Sequence, residues 1–421
     1  MKVDYLTIKS LTIIGLIFSS SIIHADEWHY NNVIIGERAT GMGGAYTAIS
    51  DDPSGLFHNP AGIVYGGNRN LSASVNAFSI STITYKGVLG GRDWERKSSA
   101  LLPNFFGITQ PLGGGVIGFS YAVPDSVSED QDSIFNNIGN PAIGTDIRDY
   151  LINVNNEDNT YKIGPSYAIE INDQLAIGAT LYLHVRDQEL IANQWIRYNN
   201  DEMEWFNTYY QSSEMGFEPV LGIMWSPFEQ YSLGLTIRQV SIFDSETSGQ
   251  SICVSDKTGQ SVLQCIPPVG GVAADPTVGI SEVERDLPTQ VNLGLAYFYS
   301  NDLLLSADMA FYTSTDTAES VMNLAFGAEY YTSESWAYRG GIYTNNSNAA
   351  DISSTGTDQP DQVDIIGLTF SASHFTRDSS ITLGINYSMG SGDAQVLSGS
   401  TEIQDVDVSS LAFFISSSLS Y

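Results

Sequence analysis

The chain has 421 residues, with 48 Asp+Glu against 17 Lys+Arg and a formal net charge of −31. Charged residues nevertheless make up only 15% of it, well under the about 25% of an ordinary soluble domain. A shortage of Lys and Arg excludes a nucleic-acid binder. The 18 Phe, 23 Tyr and 6 Trp exclude a disordered chain, and the two Cys exclude a disulfide framework or a Cys-rich zinc protein.

In chain order, Lys2 and Lys9 flank a short amino end, an apolar stretch runs from Leu11 to Ile23, and Ile23-His24-Ala25 supplies a small-residue cleavage site. That order predicts a secretory signal peptide over residues 1–25 and an exported protein. The stretch of 13 residues is too short to span as a helix, since a hydrocarbon core is about 30 Å thick. Losing Lys2, Lys9 and Asp4 takes the net charge to −32, and no Cys at the cleavage site marks a lipoprotein. No later run of 18 apolar residues reads as a transmembrane helix. A soluble periplasmic protein and an outer-membrane β-barrel remain. Residues 26–68 precede the first strand and hold the run GERATGMGGAYTAISDDPSGLFHNPAGI from Gly36 to Ile63. Gly41, Gly43, Gly44, Gly55 and Gly62, with Ala45, Ala48 and Ala61, make a segment small enough to pack inside a barrel. Its glycine cluster lacks the lysine and the preceding strand of a phosphate loop.

Fourteen strands are predicted, at about 70–86, 98–110, 113–123, 159–170, 173–197, 204–226, 229–246, 285–299, 302–314, 320–332, 335–346, 362–376, 379–390 and 405–421. Their apolar residues recur every second position. Leu411, Phe413, Ile415, Leu419 and Tyr421 alternate with Ser410, Ser416, Ser418 and Ser420, and Ile381, Leu383, Ile385 and Tyr387 with Thr382, Gly384 and Asn386. Every second connection is short, and the alternate ones (124–158, 247–284, 347–361, 391–404) are mostly long. That asymmetry and the even count predict an all-β fold, a 14-stranded antiparallel transmembrane β-barrel over residues 69–421, with the segment 26–68 plugging its lumen. Trp225, Tyr231, Tyr299, Tyr330 and Trp336 fall at short-turn ends, where an interfacial girdle sits. Residues Ile134 to Val154 are read as a loop with a short helix. Cys253 and Cys265, in the longest loop of an exported chain, are expected to form a disulfide.

The run Gly41-Met42-Gly43-Gly44-Ala45, then Asp51-Asp52 and Leu56-Phe57-His58-Asn59-Pro60-Ala61-Gly62, resembles the amino-terminal hatch of the FadL/TodX outer-membrane transport family. The match to that family's Asn-Pro-Ala motif lies at Asn59, Pro60 and Ala61. The resemblance implies passive uptake of hydrophobic compounds, either long-chain fatty acids or aromatic hydrocarbons. Ligand is collected by the extracellular loops, held in a lumenal pocket, and released by hatch movement through a side opening near a kinked third strand. In the third strand Gly113, Gly114, Gly115 and Gly118 are open to three roles, a kink, a turn or close packing. Similar hatch motifs occur in barrels resembling the type IX secretion shuttle, so a barrel docking protein partners is one alternative and a general porin another.

Parity places His184, Arg186, Glu218, Arg238, Asp308, Glu329 and Arg339 toward the lumen. Counting from the turns sets Glu218 opposite Arg238 and Glu329 opposite Arg339. These residues serve either as wall ion pairs or as receivers of a ligand carboxylate. Of the five histidines, His24, His29 and His58 lie in the signal or hatch, and His184 and His374 adjoin no nucleophile motif. No enzyme, cofactor or metal site is expected. Hydrophobic small molecules, membrane lipid and lipopolysaccharide are the expected partners of a monomer. An acidic rim (Asp125, Glu129, Asp130, Asp132, Glu282, Glu284) is a candidate for divalent cations.

Overall fold

A computed structural model describes residues 28–30, 32–66, 70–138, 147–255, 277–281, 285–357, 359–396 and 401–420. The signal segment 1–25, the disulfide partner Cys265 with the side chain of Cys253, and Tyr421, Glu282 and Glu284 lie outside the described residues.

Fourteen antiparallel strands form the wall. They are β1 (Asn70–Tyr85), β2 (Trp94–Leu112), β3 (Gly115–Ile138), β4 (Ile147–Asn172), β5 (Leu175–Tyr198) and β6 (Met203–Phe228). Strand β7 runs as Tyr231–Arg238 and continues as Ser241–Ser255, both parts pairing with β6. Strand β8 has the parts Thr277–Ser281 and Gln290–Phe298, each pairing with β7. Then come β9 (Leu303–Tyr312), β10 (Val321–Ser333), β11 (Trp336–Asn345), β12 (Gln362–Phe375), β13 (Ser379–Ala394) and β14 (Gln404–Ser420). The first strand pairs with the last, Asn70 opposite Ser420 and Tyr85 opposite Val406, so the ring closes.

The period-two pattern decides which way each side chain faces. On β6, Leu221, Ile223 and Trp225 point out while Val220, Gly222 and Met224 point in. Leu383 on β13 is 58% exposed and Phe370 on β12 is 53% exposed, and similar residues continue around the wall. A continuous exposed apolar band of this kind suits lipid, whereas a water-soluble protein keeps such patches small. Trp225, Tyr231, Tyr299, Tyr330 and Trp336 all face outward beside the short turns.

Two sequence expectations are corrected. The described residues of 134–154 are strand, not helix: β3 runs on to Ile138 and β4 begins at Ile147. Tyr150, Ile152 and Val154 are buried at every second position, which is the strand period, not the helical one. The supposed long loops 124–158, 247–284 and 391–404 are for the same reason partly strand, and the sheet continues past the apolar band toward the long-connection rim. Its outward face there is polar: Asn153 donates to Asp132 at 2.8 Å and Asn193 to Asn153 at 3.1 Å.

Within the barrel lie α1 (Glu37–Gly41), α2 (Gly55–His58) and a 3₁₀ turn over Pro60–Gly66. They fill the lumen toward the short-turn rim.

Candidate functional site

The hatch fits because the wall is pared down around it. Gly178 on β5 has Pro60 C only 2.5 Å from where a Cβ would stand, and Gly294 on β8 has Ala48 N at 2.7 Å. The same closeness holds at Gly222 against Asn59, Gly234 against Thr47, and Gly327 and Gly341 against Met42. These inward glycines form a belt, and a methyl group at most of these positions would push the hatch off its seat. Between the glycines, apolar patches press on it. Met42, Tyr46 and Ala48 meet Ala296 and Leu304, Leu56 and Ile63 meet Val116 and Ala168, and Ile35 meets Phe105 and Ala122.

Polar contacts fix its register. Asn59, first residue of the Asn-Pro-Ala motif, donates to Thr47 O at 2.8 Å and Ile223 O at 3.1 Å and accepts from Ala61 N. One side chain thereby ties two hatch segments to β6. Asp308 on β9 accepts from the amides of Tyr46 and Thr47 at 2.9 and 2.7 Å. Glu329 on β10 accepts from Arg339 at 2.7 Å and from hatch Arg38 at 2.6 Å, and Arg38 also binds Asp51. Arg238 on β7 donates to the carbonyl of Phe57 and stands 4.7 Å from the Phe57 ring centre, where its charge favours the ring face.

Hatch burial shifts one acid and one base. Burial raises the Glu37 carboxyl above its ordinary range, against the lowering effect of the hydrogen bond donated by Ser416. Burial also brings His58 down to about 4, with Arg238 opposing its charge and the Ile35 carbonyl, 2.7 Å from Nε2, acting the other way.

The structure therefore brings Asp308, Glu329, Arg339 and Arg238 together around the hatch. Arg186 lies nearer the other rim, paired with Asp158 at 2.5 Å and with Glu214 at 3.6 Å. Glu329 stands directly opposite Arg339, as counted from the turn. Glu218 does not stand opposite Arg238, which faces Val220; a register shift between Trp225 and Phe228 displaces the count. Arg238 reaches Glu218 diagonally at 3.9 Å, and Lys162 on β4 holds it more closely at 2.7 Å. Arg38, Lys162 and Asp158 escaped sequence reasoning, as did the pairing of the motif's Asp51 with Arg38. Arg38 lies five residues before the Gly43-Gly44 pair of the motif, and its partner Glu329 is 291 positions away.

The wall beside the hatch is interrupted. Strands β2 and β3 pair at Ser98–Glu129 and resume at Phe105–Ala122, with no paired residues between. Pro103 and Pro124 lie in that interval, and neither has an N–H to give to the ladder. The freed Pro124 carbonyl accepts from hatch Val33 N at 3.2 Å, and Asn32 donates to Asp125 at 3.1 Å. Strand β3 shifts register against β4 between Ala122 and Asp125. The break thus falls at prolines, and of the roles open to the glycines the structure shows turn and packing. Gly113 and Gly114 make the turn with φ of 61° and 84°. At Gly118 the missing side chain leaves room for Leu56.

Beyond the hatch, the inward ends of the strands carry an apolar tier that includes Trp94, Phe135, Tyr150, Leu190, Ile196 and Tyr198. Tyr85 stacks on Trp94 at 5.3 Å. Residues of the β3–β4 hairpin thus help to build this tier.

The whole chain is similar in fold to known channels. It superposes on a Pseudomonas aeruginosa FadL homologue with a TM-score of 0.65, at 14% identity, over 93% of this chain and 99% of that one. The Pseudomonas putida toluene transporter TodX gives 0.62 at 14% identity over 91% and 97%, and the monoaromatic hydrocarbon channel CymD 0.57 at 13% over 93% and 99%. At such identities the likeness is one of fold. No protein-family model and no curated protein sequence matches the chain.

Proposed function

We propose that the chain is an outer-membrane channel of the FadL/TodX kind, exported by a cleaved signal peptide, which takes up hydrophobic compounds passively. The observation that carries this reading is the pairing of a hatch across the lumen with a proline-made break in the adjacent wall. A hydrophobic solute gains nothing from a water-filled passage. It gains from a route that keeps it on apolar surface and releases it sideways into lipid. The apolar tier offers such a surface at the long-connection rim, and the interval between β2 and β3 offers the side exit. Hatch residues Asn32 and Val33 bind the β3 side of that interval, so a small hatch shift would couple arrival of ligand to opening.

The test is uptake of radiolabelled toluene and dodecane by cells lacking the protein, with and without a restored copy. Restored cells are expected to accumulate the compounds faster. Equal rates would sink the reading, and fast uptake of small sugars as well would make the barrel a general porin.

A further inference from the structure

Between the apolar tier and the hatch, the lumen wall of β4, β5 and β6 treats charged and neutral polar groups differently. Each cation there has an acid. Arg186 has Asp158 and Glu214, Lys162 has Glu218, and Arg285, reaching in from the segment before Gln290, has Glu214 at 2.6 Å. The neutral groups are in the opposite state. Among the described residues, Asn156, 1% exposed, Gln188, 2% exposed, and His184, 4% exposed, have no hydrogen-bond partner for any side-chain nitrogen or oxygen. Leaving such atoms buried and unmet costs stability, so they are kept for something other than the wall.

Their placement makes them one site. Asn156 stands opposite Leu190 of the apolar tier, Gln188 stands opposite Asp158, and His184 lies two inward positions further along β5 toward the hatch. All three share the inward face of two paired strands. Resting on the uptake reading above, we infer that this patch is a polar subsite for an uncharged amphiphile: a hydrophobic compound whose head is an alcohol, ketone, ester or phenol. Its apolar body lies along the tier of Leu190, Ile196 and Tyr198. Its head exchanges hydrogen bonds with the Asn156 and Gln188 amides and, deeper, with the His184 ring. An ionised fatty acid is selected against, since Arg186, Arg285 and Lys162 each already hold an acid, Arg238 is turned to the hatch carbonyl of Phe57, and Asp158, Glu214 and Glu218 stand close by. Amides and imidazole can both give and accept, which suits a hydroxyl or carbonyl head.

The test compares decane, 1-decanol and decanoate at pH 8 by calorimetric titration of the full-length barrel in lipid nanodiscs. Decanol is expected to bind about three- to tenfold more tightly than decane, the worth of one or two neutral hydrogen bonds. Decanoate is expected to bind more weakly than decanol by at least that factor. Q188L and N156L should each remove most of the decanol preference and leave decane affinity unchanged, with heat-modifiable gel migration confirming folded barrels. The conservative Q188N should keep part of the preference. Decanoate binding as tightly as decanol would overturn the inference while leaving uptake standing. So would a decanol-to-decane ratio unmoved by both leucine variants, which would mean the amides serve water only. Failure of all three probes to bind would count against the uptake reading itself.

Discussion

The two halves of the lumen are built on opposite principles. Toward the short turns, nearly every wall feature answers one on the hatch: the glycine belt meets its backbone, Glu329 meets Arg38, and Asp308 meets the amides of Tyr46 and Thr47. Toward the long connections, the wall answers itself or nothing, with an apolar tier, self-contained ion pairs, and the unmet amides of Asn156 and Gln188. A lumen complementary to its own plug is a seat. A lumen with apolar surface and open hydrogen-bonding capacity is a place for something else. On the proposed reading, the contrast separates gating from ligand binding along the axis of one barrel.

Changes to the seat should therefore affect closure and spare ligand preference. The largest effect is expected from G222L, because Asn59 and Pro60 occupy the space a side chain would need. Planar-bilayer recordings should change from a closed barrel to steady ion current, and a variant as silent as wild type would deny that the belt seats the hatch. Next is E329Q, which strands Arg38 and Arg339 with reduced compensation. Loss of a buried partner of this kind costs about 3–5 kcal/mol, read as faster hydrogen exchange over residues 37–51 with the wall strands unchanged. D308N should have a smaller effect of the same kind, about 1–3 kcal/mol, again confined to the hatch.

Acid supplies a graded version of the same experiment. His58 titrates near 4 in the folded hatch, below its ordinary value of 6.5. Its neutral form is the one that fits, so its contribution is complete above about pH 6.5 and is lost as pH falls toward 4. Proteolysis of the hatch should rise across that window, and H58Q should flatten the rise. A wild-type profile that is flat from pH 7 to 4 would contradict the role given to His58.

The fold was legible because lipid imposes a rule on every second residue. Leu, Ile and Phe outward and Ser, Thr and Gly inward recur with enough regularity to count strands and find their turns. The hatch was legible because its small residues and the Asn-Pro-Ala step stand out from any strand pattern. Other features depended on chain segments far apart. A glycine inside a strand reads as a weak point or a bulge, and only the hatch lying against Gly178 or Gly294 gives it a purpose. A kink was one of the roles open to the glycines of Gly113–Gly118, but the wall break lies at Pro103 and Pro124, two residues whose shared interval appears only when β2 and β3 are aligned. The helix expected within 134–154 failed because the apolar residues there fit two periods, and the long β3–β4 hairpin selected the period of the sheet.

The side exit is the element on which the uptake account depends most. Asn104 and Val123 each lie one step beyond the Phe105–Ala122 pair, at the edge of the interval where β2 and β3 part. A double variant, N104C with V123C, allows the interval to be stapled by oxidation and freed by reduction in the same cells. The account predicts that toluene uptake stops on oxidation and returns on reduction. Undiminished uptake through a barrel shown by mass spectrometry to be fully cross-linked would contradict it.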